Sequence, residues 1–333
     1  MIRYLVAGQL QRDYILTANG KAYIDIPGGN LLYTAAGIGV WEQGIGLVSR
    51  IGEDFPHDWL DEIAGKGIDT RGIRNTSNSI DQRSFFAYTD LDNRSTDNPV
   101  SHFSRVGLPF PKSLLGYTAP TFQIDSRVQP AEITIRPNDI PVDYLDATAA
   151  HLCPVDYLSH ALVPPALRQG HISTLTIDPP TGYMNPTFWD NIPTIVKGLT
   201  AFLTSEDKIK SLFQGKSTDL WEMAEALANF GCEMIVIKRG ARGQYVYEHA
   251  SHSRWTIPAY PSRVLDPTGA GSAFCGGFLV GYRTSYNPLT AALYGNISAS
   301  LVVEGSGPFY ALDALPGLAQ ARLESLQGMV RKL

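Results

Sequence analysis

The chain has 333 residues and a mass of 36.4 kDa, a length that admits two domains or one large α/β domain. At 44% hydrophobic and 18% charged residues, with 31 glycines and 22 prolines, it has the composition of a well-cored globular protein rich in turns, not of a disordered or low-complexity one. A net charge of -5 without any dense basic run argues against nucleic acid as a partner, and the longest apolar stretch, Ala273 to Tyr282 counting its glycines, is about half the ~20 residues a membrane span needs, so a small ligand is the better expectation.

In chain order, an apolar run at Tyr4 to Ala7 predicts a buried strand ending at Gly8. Tyr14–Thr17 and Ala22–Ile26, separated by Asn19-Gly20, predict a hairpin. Leu31 to Trp41 reads as a helix opening on the Gly28-Gly29 turn, Gly46–Ser49 as a strand, and Trp59–Lys66 as a helix closed by Gly67. From Asp90 to about Pro141 the chain turns polar and proline-rich, with a strand-like piece at Glu132–Arg136; it reads equally as a lid, an insertion or an interface. Strands resume at Ala149–Cys153, Thr174–Ile177, Gly198–Leu203, Met234–Ile237 and Tyr245–Tyr247, with a helix at Leu220–Phe230, and a further strand is expected to end at Leu265. Such alternation predicts a mostly parallel sheet covered on both faces, with ligands at the carboxyl ends of its strands. Three isolated cysteines, Cys153, Cys232 and Cys275, form neither a disulfide framework nor a thiolate metal site, and no export signal precedes the polar residues Gln9 to Asp13; both points predict a cytoplasmic protein.

The segment Asp266-Pro-Thr-Gly-Ala-Gly-Ser272 carries the most chemistry. Gly269, Ala270 and Gly271 let the backbone turn sharply and present several N–H donors at the start of a small-residue helix, where the helix dipole also favours an anion. Gly276 and Gly277 are expected to let that helix lie close to the sheet. On residues alone Asp13 and Asp266 read equally well as turn caps, Tyr33 as core and Asn296 as helix surface, and Lys238 and Arg239 as solvated charges. Gly215-Lys216-Ser217 is not a P-loop, because Lys210 stands where its first glycine is needed, and His249 with His252 reads as a surface turn; no metal site is expected.

The glycine segment resembles the Asp-Thr-x-Gly-Ala-Gly-Asp signature of the PfkB/ribokinase-like carbohydrate and nucleoside kinases. Gly28-Gly29 with the run Gly46 to Phe55, Asp178-Pro179, Ile237 to Gly243 and Tyr294 to Ser300 are similar to other motifs of that family, so the resemblance spans most of the chain. It implies a ribokinase-like three-layer α/β sandwich with a mostly parallel central sheet, one domain over 1–333, and a small β lid from about 12–27 and part of 83–136. It also implies ATP with Mg2+, a sugar or nucleoside acceptor and a homodimer through the lid. By resemblance Asp13, Gly28, Gly29 and Tyr33 lie on the substrate side. Ser205, Lys238, Gly240, Gly243, Asp266 and Asn296 lie on the nucleotide side, and Gly269, Ala270 and Gly271 hold the transferring phosphoryl charge.

Three motifs depart from the pattern. Ser272 stands where the family has its catalytic Asp, and a serine hydroxyl cannot take a proton at neutral pH unaided, a deficit of roughly 10²–10⁴-fold if nothing substitutes. The family's Asn-x-x-Glu, which organises magnesium and phosphates, falls on Ser205-Glu206-Asp207-Lys208, and Tyr33 replaces a substrate-side Asn. Two functions follow as expectations: a small-molecule kinase with altered proton transfer, or a catalytically impaired relative that binds a nucleotide or sugar-like ligand for sensing or assembly.

Overall fold

The computed structural model describes residues 1–119, 124–329 and 331–332. Strand β1 (Tyr4–Ala7) is buried on both faces, as an apolar run demands. Tyr4 and Val6 enter one hydrophobic cluster while Leu5 and Ala7 enter another. The Asn19-Gly20 turn joins β2 (Gln11–Leu16) to β3 (Ala22–Gly28), both longer than their apolar residues indicate. There follow α1 (Asn30–Gly39), β4 (Ile45–Ile51), α2 (Asp58–Gly65), β5 (Ile68–Asn75), β6 (Arg83–Tyr88), β7 (Arg94–Ser95) and α3 (Pro99–Arg105). Beyond the polar segment come β8 (Ala149–Leu152), α4 (Tyr157–Leu167), β9 (Thr174–Ile177), α5 (Ile192–Val196), β10 (Ala201–Ser205), α6 (Glu206–Leu212) and α7 (Leu220–Ala228). The chain closes with β11 (Met234–Lys238), β12 (Gln244–Glu248), β13 (Ser253–Ile257), α8 (Ala270–Ser285), α9 (Pro288–Val302), α10 (Leu318–Gln327) and β14 (Arg331–Lys332).

The main sheet runs β14, β13, β12, β11, β10, β9, β8, β1, β4, β5; it is parallel from β11 to β5 and antiparallel from β11 to β14. Side chains alternate across it. In β11, Ile235 and Ile237 pack with α6 and α7, whereas Met234 and Val236 pack with α8 and α9. The result is the expected three layers, helix, sheet and helix. A second sheet, ordered β3, β2, β6, β7, has its own core of Tyr14, Leu16, Phe85, Ala87, Phe103 and Leu114.

Four expectations are corrected. Glu132–Arg136 forms a turn and an irregular stretch between Pro130 and Pro137, and its backbone is satisfied by side chains: the Ile135 N–H donates to Ser159 Oγ at 2.8 Å. No strand ends at Leu265. β13 stops at Ile257 before Pro258 and Pro261, and the Leu265 and Asp266 N–H groups both donate to the Val303 carbonyl. Gly198 belongs to a turn, so the strand there starts at Ala201. The α8 glycines face helices and not the sheet: a Cβ on Gly276 would overlap the backbone of α1, and one on Gly277 would overlap α9.

Candidate active site

The sheet order reverses around β1, which lies between β4 and β8, and in open α/β sheets the ligand crevice lies at the carboxyl ends of such strands. Candidate residues converge on this edge: Gly8 after β1, Cys153 after β8, Asp178 after β9, Ser205 ending β10 and Lys238 ending β11. Asn30, in the first turn of α1, ties the edge together by accepting from the Gln9 N–H at 2.9 Å and donating to the Pro154 carbonyl at 2.7 Å.

On one side lies Asp13. Strand β2 carries it over the Gly28-Gly29 turn, where a Cβ on Gly28 would overlap its carboxylate. The Gly29 N–H donates to Asp13 Oδ2 at 3.4 Å, while Oδ1 is buried with no hydrogen-bond partner. Burial pushes its pKa up to about 7; the Gly29 N–H opposes that rise and the Asp266 charge adds to it. Tyr33 is buried beside it with an unpartnered hydroxyl. Burial, then the charges of Asp13 and Asp266, raise the phenol well above its ordinary range. Asp266 accepts from the Thr268 N–H at 2.9 Å through Oδ1 and keeps Oδ2 buried and unpartnered. Three orphaned polar atoms therefore belong to one electrostatically coupled group, a pattern that calls for polar ligand atoms or water.

The glycine turn comes next. Gly269 has φ +80° and lies so close to the Tyr33 ring that any Cβ would overlap it, so glycine is required twice over. Tyr88, from β6 of the smaller sheet, reaches the turn and shares a 2.9 Å hydrogen bond with Thr268. Ala270, Gly271 and Ser272 form the first turn of α8, where backbone N–H groups lack intrahelical partners; the Ser272 side chain is half-buried.

Behind the turn sits a buried charge cluster. Lys208 Nζ donates to Asp178 Oδ1 at 3.1 Å and to the Pro179 carbonyl at 2.5 Å, and Lys238 Nζ donates to Asp178 Oδ2 at 2.5 Å. Lys238 also approaches Gly271 O at 3.4 Å and Cys275 Sγ at 3.3 Å. Burial works against the Asp178 charge, but the two ammonium groups outweigh it and hold the carboxyl below its usual range. Burial opposes the Lys238 charge as well, yet Asp178 raises its pKa, whereas burial wins at Lys208 and lowers it. Neither Lys238 nor Arg239 is a solvated charge: Arg239 donates to Glu206 at 3.0 Å and stacks over Tyr245.

A cleft of about 450 Å³ opens in front of this cluster, lined by Lys238, Gly240, Gly243, Ala270, Gly271 and Asn296. Leu91 and Asp92 close one side from the smaller sheet. The Asn296 amide holds the cleft wall, accepting from the Tyr260 N–H at 2.9 Å and donating to the Pro258 carbonyl at 2.7 Å. Ser205 does not line the cleft; its hydroxyl caps α6 by accepting from the Lys208 N–H at 3.4 Å. Thus Lys238, Gly240, Gly243, Ala270, Gly271 and Asn296 share the cleft, while Asp13, Gly28, Gly29, Tyr33 and Asp266 form the group behind Gly269. Sequence reasoning missed Tyr88, whose run Arg83–Tyr88 alternates too weakly to mark it. It also left open how Asp178 engages Lys208 and Lys238, three residues far apart in the chain.

Sheet order, three layers and a glycine turn opening a helix at the carboxyl edge define a ribokinase-like α/β protein. The sequence profile of the pfkB family carbohydrate kinases matches residues 168–315 of the chain. A cytidine kinase of Thermococcus kodakarensis is 26% identical over 289 residues, covering 85% of this chain and 89% of that one. Among solved structures, a nucleoside kinase of Burkholderia thailandensis in complex with inosine aligns with a TM-score of 0.69 and 18% identity over 98% of this chain and 99% of that one. A putative ribokinase II from E. coli in complex with ATP and magnesium aligns with a TM-score of 0.68 and 15% identity over 99% and 100%.

Proposed function

We propose that the protein is an ATP-dependent kinase of a small hydroxylated compound, a sugar or nucleoside, in which Asp13 takes the proton of the acceptor hydroxyl. The observation that carries this reading is the buried Asp13 carboxylate, one oxygen unpartnered and a pKa of about 7, on the far side of a glycine turn from a cleft of nucleotide size. A group half-ionised at neutral pH is matched to general-base work. Ser272 offers no such basicity.

In this reading the nucleoside part of ATP lies in the cleft against the wall that Asn296 holds, and its phosphates meet the Ala270 and Gly271 amides and Lys238. Preorganised donors of this kind provide most of what phosphoryl transfer needs. The acceptor lies beneath the smaller sheet, which serves as a lid, with its hydroxyls toward Asp13, Asp266 and Tyr33. The family resemblance brings Mg2+ with ATP, but the side chains behind the glycine turn do not fit a divalent ion: Lys208 stands at the acidic position, and both Asp178 oxygens are held by ammonium groups. We also assign the protein to the cytoplasm, in keeping with its three free buried thiols, and pair two copies through the lid, where Ile24 of β3 is exposed; a monomer by light scattering at micromolar concentration would overturn the pairing.

Ser272 and Lys208 favour a second reading, a member that binds nucleotide and sugar without transfer. Following the γ-phosphate of ATP over a panel of sugars and nucleosides separates the two. Transfer by the unmodified protein that disappears in Asp13→Asn supports the kinase, and binding of both ligands without transfer supports the second reading.

A further inference from the structure

We propose that Lys208 and Lys238, bridged by Asp178, take the place of a divalent cation at the phosphate end of the cleft, so that the protein binds its nucleotide as the metal-free polyanion. This rests on the nucleotide reading of the cleft and adds the charge state of the ligand. The two buried acids at the ends of β9 and β10, Asp178 and Glu206, are already engaged. Asp178 gives one oxygen to each lysine, at 3.1 and 2.5 Å, and is itself buried. Glu206, the buried acid in the first turn of α6, is held by Lys210 at 2.6 Å, Arg239 at 3.0 Å and Arg242 at 2.8 Å. Among the described residues no group of three or more His, Cys, Asp or Glu side chains could hold a metal ion.

The positive charge is left where phosphates would arrive. Within the Lys208–Asp178–Lys238 cluster two ammonium groups face one carboxylate and leave an excess of positive charge, and the N-terminus of α8 adds to it. Lys238 lines the cleft, and its Nζ lies 3.8 Å from where a Cβ on Gly271 would be, beside the turn's amides. Lys208 lies behind it, held on Asp178 and the Pro179 carbonyl; it fixes the carboxylate that aims Lys238. Cys275, one turn after Ser272 on the same face of α8, is neutral, since burial pushes its thiol up to about 12, so it does not offset the lysines. A bound divalent ion would have to displace an ammonium group from Asp178 and would add charge to a site that already carries an excess.

Calorimetric titration of the full chain tests this, with ATP in excess EDTA and in excess Mg2+ and adenosine as the uncharged control. The expected result is ATP binding in EDTA at least as tight as with Mg2+. Lys238→Gln should weaken ATP by roughly 10- to 100-fold and leave adenosine unchanged, and Lys238→Arg should keep most of the ATP affinity. ATP binding that requires Mg2+ overturns the inference while leaving the nucleotide reading intact, as does a Lys238→Gln variant that still binds ATP normally. A chain that binds neither ATP nor adenosine overturns the nucleotide reading and this inference with it. Should Lys238→Gln fail to fold, the unmodified chain still decides the question: its ATP affinity in EDTA must fall with rising salt while its adenosine affinity does not.

Discussion

Replacing Ser272 by Asp should accelerate transfer, and the structure sets the scale. Residue 272 lies in the first turn of α8, where the helix dipole stabilises an anion by about 0.3–1 kcal/mol, and its half-buried side chain spares a carboxylate the heaviest desolvation. It shares a face with Cys275, which touches Lys238, so the new carboxylate comes within reach of a cation that keeps it ionised. A positioned general base contributes roughly 10²–10⁴-fold, or about 3–5 kcal/mol of barrier. Because Asp13 already accepts the proton in our account, the gain should fall near the lower end, about 10²-fold. Rapid-quench single-turnover measurements with saturating ATP and the best acceptor read this step without interference from product release. If Ser272→Asp folds and binds ATP like the parent yet transfers no faster, position 272 does not play the part that its place in the family's glycine signature implies.

Asp13→Asn should abolish transfer and also alter the pH dependence of stability. The Asp13 pKa is raised in the fold, so its contribution is present in full below the ordinary carboxylate value and is lost as pH rises through about 7. In denaturant titrations the parent should lose about 2–3 kcal/mol relative to the Asn variant between about pH 5 and 8, while kcat/KM of the parent rises through the same region; a constant difference would contradict the assignment. Gly269→Ala should cost about 1–3 kcal/mol for its left-handed backbone alone and more for overlap with Tyr33, seen as a lowered Tm and weakened ATP binding. Asn296→Ala should orphan the Tyr260 N–H and the Pro258 carbonyl at about 1–3 kcal/mol each, weakening adenosine as well as ATP; unchanged adenosine affinity would separate that wall from the nucleoside.

The parts of the fold set by local pattern were legible in the sequence. Thr174–Ile177 and Tyr4–Ala7 are strands to the residue, because buried parallel strands are short apolar runs with abrupt ends. β5 left no such trace: it is an edge strand, half exposed, and its Arg71 and Arg74 hide the pattern. Glu132–Arg136 misled for the opposite reason, since its alternation is real but among the described residues no strand pairs with it. In the site, the glycine turn could be read because backbone geometry demands glycine there. The Lys208–Asp178–Lys238 cluster could not, since three ends of three strands and helices meet only in the folded sheet, and no spacing encodes their contact. Asp13 was visible as a candidate, but its unpartnered oxygen and raised pKa are products of burial.

The most direct test of the account is product formation by the unmodified chain in a single turnover at pH 8, with ATP and each member of a sugar and nucleoside panel. The account predicts ADP and a phosphorylated acceptor in equal amounts for at least one member, and neither from Asp13→Asn. Calorimetric binding of both ligands with no product from the unmodified chain would contradict it.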